Sequence, residues 1–313
     1  MRTRVSLLIA LAVIGCQKQE ESVAPPPPAA KSTATHARIA AGGAGATESI
    51  TSGLSTPESV LYDAQQDVYF ISNINGQPLQ ADNNGYISRV NAETLQIEPK
   101  WIEAGKNGVK LDAPKGSAIV NGTLYVADIT VVRKFDAKSG APKGKIAIPG
   151  AVFLNDIVAD GSTIYVSDTG MKAGAGGNFE PAGADAIWKI TNDKPQKIAS
   201  GDDLKHPNGV DVVNGKLWVV SFGSNELYQI DNGKKTHVMQ LPKGSLDGLF
   251  HLDDGSFVVS SWEGKAVYRG KDDKWQTVVD NVNAPADIGY DAKRHRMLIP
   301  HFMDSIVTIH PLQ

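Results

Sequence analysis

Short apolar runs that each end in a polar residue recur along the chain. They read VYFIS (68–72), LYVAD (124–128), IYVSD (164–168), LWVVS (217–221), FVVSS (257–261) and MLIPH (297–301). Their starting positions differ by 56, 40, 53, 40 and 40 residues. Runs of this length, rich in β-branched and aromatic residues and bounded by Gly, Asn and Pro, predict buried β-strands. A period near 40 with several strands in each unit indicates the blades of a β-propeller.

Each unit has the same order of elements. A turn led by Pro or Leu opens it, a strand such as GVDVV (209–213) and the apolar run follow, and two further strands such as ELYQI (226–230) and THVMQL (236–241) complete it. Six units fit the length, but the sixth has only three strands before Gln313. The segment ESITSG (48–53) can supply the missing strand and remove an open sheet edge. The sequence therefore predicts an all-β fold, a six-bladed β-propeller over residues 47–313 closed by an N-terminal strand.

The two long intervals contain extra residues after the second strand of a unit. These are NINGQPLQADNN (73–84) in the first unit and TGMKAGAGGNFEPAGA (169–184) in the third. The second strand of a blade returns to the face where the opening turn lies. Both long loops should therefore surround one mouth of the central channel, and long loops on a rigid scaffold commonly carry binding sites.

The N-terminal residues have the pattern of an export signal. Arg2 and Arg4 precede the apolar run VSLLIALAVI, which is too short to span a bilayer. The following VIGC resembles the lipobox of bacterial lipoproteins, which implies cleavage of residues 1–15 and acylation of Cys16, the only cysteine. The alternative is an ordinary signal peptide with a leftover cysteine. Residues 16–46, with their run APPPPAA, are expected to form a tether.

These features predict a protein of the bacterial cell envelope that is lipid-anchored on the periplasmic side. They do not distinguish the inner from the outer membrane as the site of the anchor. The formal net charge is −3, from 31 Lys and Arg against 34 Asp and Glu. No run of basic residues is interleaved with aromatic residues, so the sequence argues against a nucleic-acid partner.

The six opening turns align position by position. They are Pro57-Glu58-Ser59, Pro114-Lys115-Gly116, Leu154-Asn155-Asp156, Pro207-Asn208-Gly209, Leu246-Asp247-Gly248 and Pro285-Ala286-Asp287. The middle residue begins the innermost strand of each blade, so Glu58, Asn155, Asn208 and Asp247 should converge on the channel axis. Two carboxylates and two amide oxygens suit one divalent cation with a preference for oxygen ligands, most simply Ca²⁺. The alternative is that Asn and Asp only hydrogen-bond the local backbone, which does not account for Glu58.

The pieces PESVLYD, LND, PNG and LDG, which contain those four residues, resemble the SMP-30/gluconolactonase/LRE-like family of six-bladed propellers. The resemblance covers nearly the whole chain from residue 47 onward. It implies one divalent metal in the channel and the hydrolysis of a lactone or related ester. It also implies that Asp247 is the general base that accepts a proton from water.

Five further residues are candidates for substrate contact. Asp128, Asp168 and His301 end second strands on the face of the opening turns, and Lys115 belongs to the ring itself. Phe153 occupies the position where sugar lactonases of the family tend to have Arg. A small, more apolar lactone or ester is therefore as plausible a substrate as a sugar lactone.

Two other functions fit the same pattern. A non-catalytic periplasmic propeller could bind a ligand or a partner protein and use the metal as a structural pin, because the fold does not fix the function. A condensing enzyme resembling strictosidine synthase is a third hypothesis, although no matching substrate context is visible in the sequence.

Overall fold

The computed structural model describes residues 47–175 and 178–312, and they form six four-stranded antiparallel sheets. The expected signal segment, the lipidation site at Cys16 and the whole of the expected tether lie outside the described residues. The predicted all-β, six-bladed propeller is confirmed. Among the described residues, no helix is long and apolar enough to cross a membrane.

The strands of each blade run outward from the channel. The first blade contains β2 (Pro57–Asp63), β3 (Val68–Asn73), β4 (Tyr86–Asn91) and β5 (Ile97–Glu103); the second contains β6 (Pro114–Val120), β7 (Thr123–Asp128), β8 (Val131–Asp136) and β9 (Pro142–Ala147). The third contains β10 (Leu154–Asp160), β11 (Thr163–Asp168), β14 (Ala186–Thr191) and β15 (Lys194–Ser200); the fourth contains β16 (Pro207–Val213), β17 (Lys216–Ser221), β18 (Glu226–Asp231) and β19 (Lys234–Gln240). The fifth contains β20 (Leu246–His251), β21 (Phe257–Ser261), β22 (Ala266–Lys271) and β23 (Lys274–Val279).

The sixth blade is built from both ends of the domain. Its inner strands are β24 (Gly289–Asp291), β25 (Arg296–His301) and β26 (Ile306–Pro311), and its outer strand is β1 (Glu48–Ile50). Strand β1 pairs antiparallel with β26. The N-terminal strand therefore closes the ring as the repeat predicts.

The hydrophobic core consists of six clusters, one between each pair of neighbouring blades. One cluster joins Tyr69 of the first blade to Leu298 of the sixth, and another joins Ile187 of the third blade to Val219 of the fourth. The second strands are apolar along most of their length because both of their faces are covered; every residue of β3 is buried. Outer strands such as β9 are mostly exposed. This gradient of burial explains why the second strands give the clearest sequence signal.

The long loops of the first and third blades lie where the sequence places them, after the second strands. The loop of the third blade contains an additional hairpin, in which β12 (Met171–Ala173) pairs with β13 (Phe179–Pro181). A single 3₁₀ turn (Asp202–Leu204) precedes the fourth blade. The hairpin contributes Met171 and Phe179 to the lining of the channel cavity, and neither feature changes the order of the blades.

Candidate functional site

A β-bulge at the start of the inner strand gives the ring residues their position. In the fourth blade, Pro207 pairs with Ser221 and Val210 pairs with Val219, so three steps along β16 match two steps along β17. The inner strands of the first, second, third and fifth blades have the same one-residue excess at the same place. A bulge turns the extra residue out of the regular ladder and redirects its side chain. In these five blades, the segments predicted as opening turns are therefore bulged strand ends.

Glycine follows three of the ring residues because neighbouring inner strands touch there. A Cβ added to Gly209 would lie 2.3 Å from the carbonyl oxygen of Asp247, and one added to Gly248 would lie 2.2 Å from the backbone nitrogen of Ile288. At Gly116 the Cβ would lie 2.2 Å from Oδ1 of Asp156. The glycines in PKG, PNG and LDG thus allow close approach between blades.

The sixth blade differs from the other five. Its inner strand begins only at Gly289, and the segment before it pairs with the first blade, where the backbone N–H of Asp287 donates to the carbonyl of Glu58 at 2.8 Å. Ala286 is fully buried in this segment. The ring is therefore continued around the axis by backbone hydrogen bonds between the sixth and first blades.

All four predicted metal ligands line one cavity of about 130 Å³ on the channel axis. Glu58, Asn155, Asn208 and Asp247 are 5%, 6%, 3% and 4% exposed. Within the described residues, no group of three or more His, Cys, Asp or Glu side chains is arranged as a metal site. The ring instead combines two carboxylates with two amides, and any site that it forms depends on the amide oxygens.

Three oxygen atoms of the ring are buried without a hydrogen-bond partner among the described residues. They are Oε2 of Glu58, Oδ1 of Asn208 and Oδ1 of Asp247. Asn155 donates through Nδ2 to Oγ1 of Thr169 at 3.0 Å, which assigns its amide nitrogen and leaves its oxygen for another partner. Buried oxygens without donors cost about 1–3 kcal/mol each, more when charged. A cation with a preference for oxygen ligands would satisfy them, so the ring fits a divalent metal.

The electrostatics of the ring also require compensation by positive charge. Burial raises the pKa of Glu58 well above its usual range, and the nearby carboxylates of Asp247 and Asp287 raise it further. Burial raises the pKa of Asp247 to about 8, against the opposing effect of the nearby Trp262 indole N–H. Without a bound cation, Asp247 would keep its proton to near neutral pH, and Glu58 would hold its proton more tightly than an exposed carboxyl group does.

Two more buried carboxyl groups lie beside the ring, and the sequence analysis did not single them out. Asp156 accepts the backbone N–H of Val210 at 2.8 Å, and Asp287 accepts the hydroxyl of Ser59 at 2.6 Å. Burial raises the pKa of Asp156 to about 7 and that of Asp287 well above its ordinary value. They occupy the third position of LND and PAD, and both link one blade to another.

Lys115 lies in the same cavity and is only 1% exposed. Its Nζ donates to the carbonyls of Pro78 and Ala113, at 2.9 Å each, and lies 4.9 Å from the ring centroid of Phe153. Burial lowers its pKa to about 8, and the charge of Glu58 opposes this shift. Lys115 therefore fastens the long loop of the first blade over the channel and keeps one ammonium hydrogen for another acceptor. Phe153, another candidate for substrate contact, also lines the cavity.

Asp128, Asp168 and His301, which the sequence offered as candidates for substrate contact, are not among the residues that line this cavity. Asp128 accepts the backbone N–H of Ala113 at 2.8 Å and pairs with Arg133, and Asp168 accepts the backbone N–H of Phe153 at 2.9 Å. His301 exchanges a hydrogen bond with Thr308 at 2.9 Å. The polar residue that ends the second strand thus holds a neighbouring segment in place. In the second and third blades, this is the segment that leads into the inner strand of the same blade.

Aromatic residues directly after the second strands form a second layer of the cavity wall. Phe222, Trp262 and Phe302 follow β17, β21 and β25. The ring centroids of Phe222 and Trp262 are 5.5 Å apart, and those of Trp262 and Phe302 are 5.1 Å apart. Ile74 and Thr169 occupy the equivalent position in the first and third blades and also line the cavity. This layer was not predicted, although alignment of the residue after each apolar run would have found it.

The extra hairpin of the third blade contributes to the same wall. Phe179, on β13, has its ring centroid 5.7 Å from that of Phe153, and both residues line the cavity. Phe179 is 43% exposed, so it stands at the mouth. The cavity thus has a polar floor and a predominantly aromatic wall.

Solved structures similar to this chain are propellers of several functions. A gluconolactonase from Xanthomonas campestris aligns over 85% of this chain and 90% of its own, with 17% identity and a TM-score of 0.64. A candidate gluconolactonase aligns over 84% and 92%, with 15% identity and a TM-score of 0.60. A chain of a nidogen/laminin complex aligns over 71% of this chain and 79% of its own, with 16% identity and a TM-score of 0.56.

The chain matches no known family profile and no curated protein. The structural similarity, at these identities, concerns the fold. Its neighbours include six-bladed propellers of the SMP-30/gluconolactonase family, and the predicted resemblance is therefore confirmed at the level of the fold.

Proposed function

We propose that this protein is a divalent-metal-dependent hydrolase of a lactone or related ester, with Glu58, Asn155, Asn208 and Asp247 as the ligands of one ion, most simply Ca²⁺. The observation that carries the proposal is the set of buried ring oxygens without hydrogen-bond partners. The fold that the chain shares with the Xanthomonas gluconolactonase supports the choice of reaction.

The residues of the ring have distinct roles in this proposal. A bound divalent cation supplies Lewis acidity for an ester carbonyl and increases the acidity of water. Asp247, buried on the channel axis, is the general base that takes the proton of the attacking water. Asn155, fixed by Thr169, holds its amide oxygen toward the ion. Lys115 can donate its remaining N–H to an oxygen of the substrate, and the aromatic wall limits the access of bulk water to the floor.

A non-catalytic propeller is the second candidate. The specific observation in its favour is the similarity to a chain of the nidogen/laminin complex, an assembly of two proteins. In that case the metal would stabilise the channel and turnover would be absent. Propellers with the same blades serve either purpose, and only a measurement of the site separates the two.

The first test is calorimetric titration of Ca²⁺, Mg²⁺, Mn²⁺ and Zn²⁺ into the full-length, chelator-treated protein. We expect stoichiometric binding of one ion, abolished by Asn208→Leu, because the variant removes a ligand oxygen and keeps a side chain of similar branched shape. Asn283→Leu, at an exposed residue away from the cavity, is the matched control. Failure of every divalent ion to bind would reject the metal site. Binding without turnover in a screen of lactones and esters would favour the non-catalytic candidate.

A further inference from the structure

The residue that directly follows the second strand is aliphatic or aromatic in five blades and a threonine in the third. The equivalents of Thr169 in the other blades are Ile74, Ile129, Phe222, Trp262 and Phe302. Thr169 is 1% exposed, so its hydroxyl is buried. A buried hydroxyl group is unfavourable unless it is hydrogen-bonded. The two partners of this hydroxyl therefore indicate why a threonine stands here.

The hydroxyl of Thr169 joins a ring residue of its own blade to the backbone of the next blade. Nδ2 of Asn155 donates to the oxygen of Thr169 at 3.0 Å, and the hydroxyl donates to the carbonyl of Pro207, also at 3.0 Å. Pro207 immediately precedes Asn208, the ring residue of the fourth blade. Thr169 thus stands between two of the four proposed ligands.

The direction of both hydrogen bonds follows from the groups involved. A backbone carbonyl only accepts, so the single hydrogen of the Thr169 hydroxyl is used on Pro207, and the oxygen of Thr169 is left to accept. Position 155 must therefore present an N–H on this side, which an asparagine amide has and an aspartate carboxylate lacks. Because Nδ2 of Asn155 is held there, Oδ1 is the amide atom that remains for the cavity.

An aspartate at position 155 would be unfavourable with the hydroxyl in either orientation. If the hydroxyl stays on Pro207, the carboxylate faces a lone pair of the Thr169 oxygen. If the hydroxyl turns to the carboxylate, the carbonyl of Pro207 loses this donor, and a buried acceptor that loses its donor destabilises the structure. Thr169 therefore selects the amide over a carboxylate of similar shape.

The choice of an amide limits the negative charge of the ring. Glu58 and Asp247 are its two carboxylates, and together they balance a divalent ion. Asp156 and Asp287 lie beside the ring but are not among the residues that line the cavity. Lys115 adds a positive charge to the same cavity. A trivalent ion would therefore leave additional unbalanced charge buried, which is unfavourable.

We infer that Thr169 determines the ion specificity of the ring: it enforces a neutral amide at position 155 and so limits the ring to two carboxylates, which favours a divalent over a trivalent cation. The inference rests on the proposed metal site. Thr169 acts through Asn155 without touching the ion, so it is a positioning residue.

The experiment is a calorimetric titration of Ca²⁺ and Tb³⁺ into the full-length, chelator-treated protein, with the wild type, Asn155→Asp, Thr169→Val and the double variant. We expect Thr169→Val to lower the Ca²⁺ affinity about 10–100-fold, as the loss of a group that orients a ligand does. We expect Asn155→Asp to change the Tb³⁺ affinity at least roughly tenfold more favourably in the Thr169→Val background than in the wild-type background. Equal changes in the two backgrounds would overturn the role of Thr169.

The charge limit is tested by the ratio of the two affinities. In the double variant, which has a third carboxylate and no opposing hydroxyl, the Tb³⁺ affinity divided by the Ca²⁺ affinity should exceed the wild-type ratio at least roughly tenfold. An unchanged ratio would contradict the assignment of ion specificity to the amide.

Two control variants separate the hydroxyl from packing. Thr169→Ser keeps the hydroxyl and should retain the Ca²⁺ affinity of the wild type. Thr308→Val removes a hydroxyl that also has two hydrogen-bond partners, His301 and His310, and that does not line the cavity. It should leave the Ca²⁺ affinity unchanged. A loss in Thr169→Ser or in Thr308→Val equal to that in Thr169→Val would overturn the inference.

Hydrogen exchange of the Asn155 side-chain amide tests its orientation without any metal. The Nδ2 signals, assigned by NMR from their loss in Asn155→Asp, should exchange at least roughly tenfold faster in metal-free Thr169→Val than in the metal-free wild type. If the wild type binds no ion, the proposed function fails, and faster exchange in Thr169→Val still supports Thr169 as the residue that orients Asn155. Equal exchange without ion binding would overturn both. Ion binding that is the same in the wild type and in Thr169→Val would overturn the inference alone.

Discussion

Asp247 is buried on the channel axis with one carboxylate oxygen that has no hydrogen-bond partner, and its pKa is raised to about 8. In an unfolded chain an Asp has a pKa of about 3.9. The native, metal-free protein therefore holds this proton more tightly than the unfolded chain does. The resulting stabilisation is fully present below about pH 4 and is lost as the pH rises through about 8.

We therefore expect Asp247→Asn to raise the melting temperature of the chelator-treated protein at about pH 8.5 and to change it much less at about pH 4. Each kcal/mol corresponds to about 2–4 °C in a domain of this size. Thermal unfolding of both proteins at the two pH values checks this. Saturating Ca²⁺ should reverse the order at high pH, because the wild-type ring then has its cation.

Asp254→Asn is the control for this prediction. Asp254 is exposed, and hydrogen bonds from the hydroxyl and backbone N–H of Ser256 and from Arg269 lower its pKa to about 2. Its removal should give no stabilisation at high pH. A wild-type protein that gains stability steadily from about pH 4 to pH 8.5 without metal would contradict the assignment of Asp247 as a buried group with a raised pKa.

Single residues were predictable where the repeat aligned them and where their chemistry had one main interpretation. Glu58 stood out because it is a poor turn former, and the structure places it in the cavity with the other three predicted metal ligands. Asp128 and Asp168 end second strands, where a rim position and a backbone-binding position look alike in sequence. Trp262 was missed because an aromatic residue after an apolar strand looks like part of the core.

At the scale of elements, the second strands were found from sequence because both of their faces are buried, which produces runs such as FVVSS. The bulges were not found. A bulge is defined by the pairing of two strands, and neither PNG nor LDG carries that pairing in its own residues. The hairpin of β12 and β13 was also missed, since its composition of Gly and Ala indicates only a loop.

The glycine after a ring residue gives a prediction for one element. Gly209→Ala should destabilise the protein by roughly 1–3 kcal/mol, because the new methyl group would clash with the backbone of Asp247 in the next blade. Denaturant unfolding measures the change. Metal affinity should fall as well, since the displaced strand carries Asn208 or Asp247.

Gly76→Ala is the matched control for that substitution. A Cβ at Gly76 would lie 3.6 Å from its nearest neighbour, which is an ordinary contact. If both variants lose the same stability, the effect of Gly209→Ala reflects glycine replacement in general, and the close approach of the two inner strands has no special role.

At the scale of the whole molecule, closure of the ring depends on a three-residue strand. Ile50 of β1 is 4% exposed and packs in the cluster between the sixth and first blades, and Glu48 pairs with Arg296 at 3.0 Å. The closure was predictable because the sixth unit lacks one strand and the segment before the first unit resembles the end of a unit.

Ile50→Ala should therefore destabilise the propeller by about 2–5 kcal/mol, the usual range for removing a buried aliphatic side chain. Equilibrium unfolding in denaturant gives the value. Val238→Ala, at a residue that is 42% exposed on an outer strand, should cost far less. Similar losses in the two variants would mean that β1 does not close the ring in solution.

The bulges described above separate the chemistry of the channel from the architecture that carries it. Five of the six blades present one side chain to the axis from a bulged strand end outside the regular ladder, so a substitution there is expected to change what the channel binds without altering the register of the sheet. The aligned position of the six units is occupied in order by Glu, Lys, Asn, Asn, Asp and Ala in this protein. Evolution can therefore change the residues that face the channel one position at a time. In any chain with the same repeat, these residues can be identified from the sequence before a structure is determined.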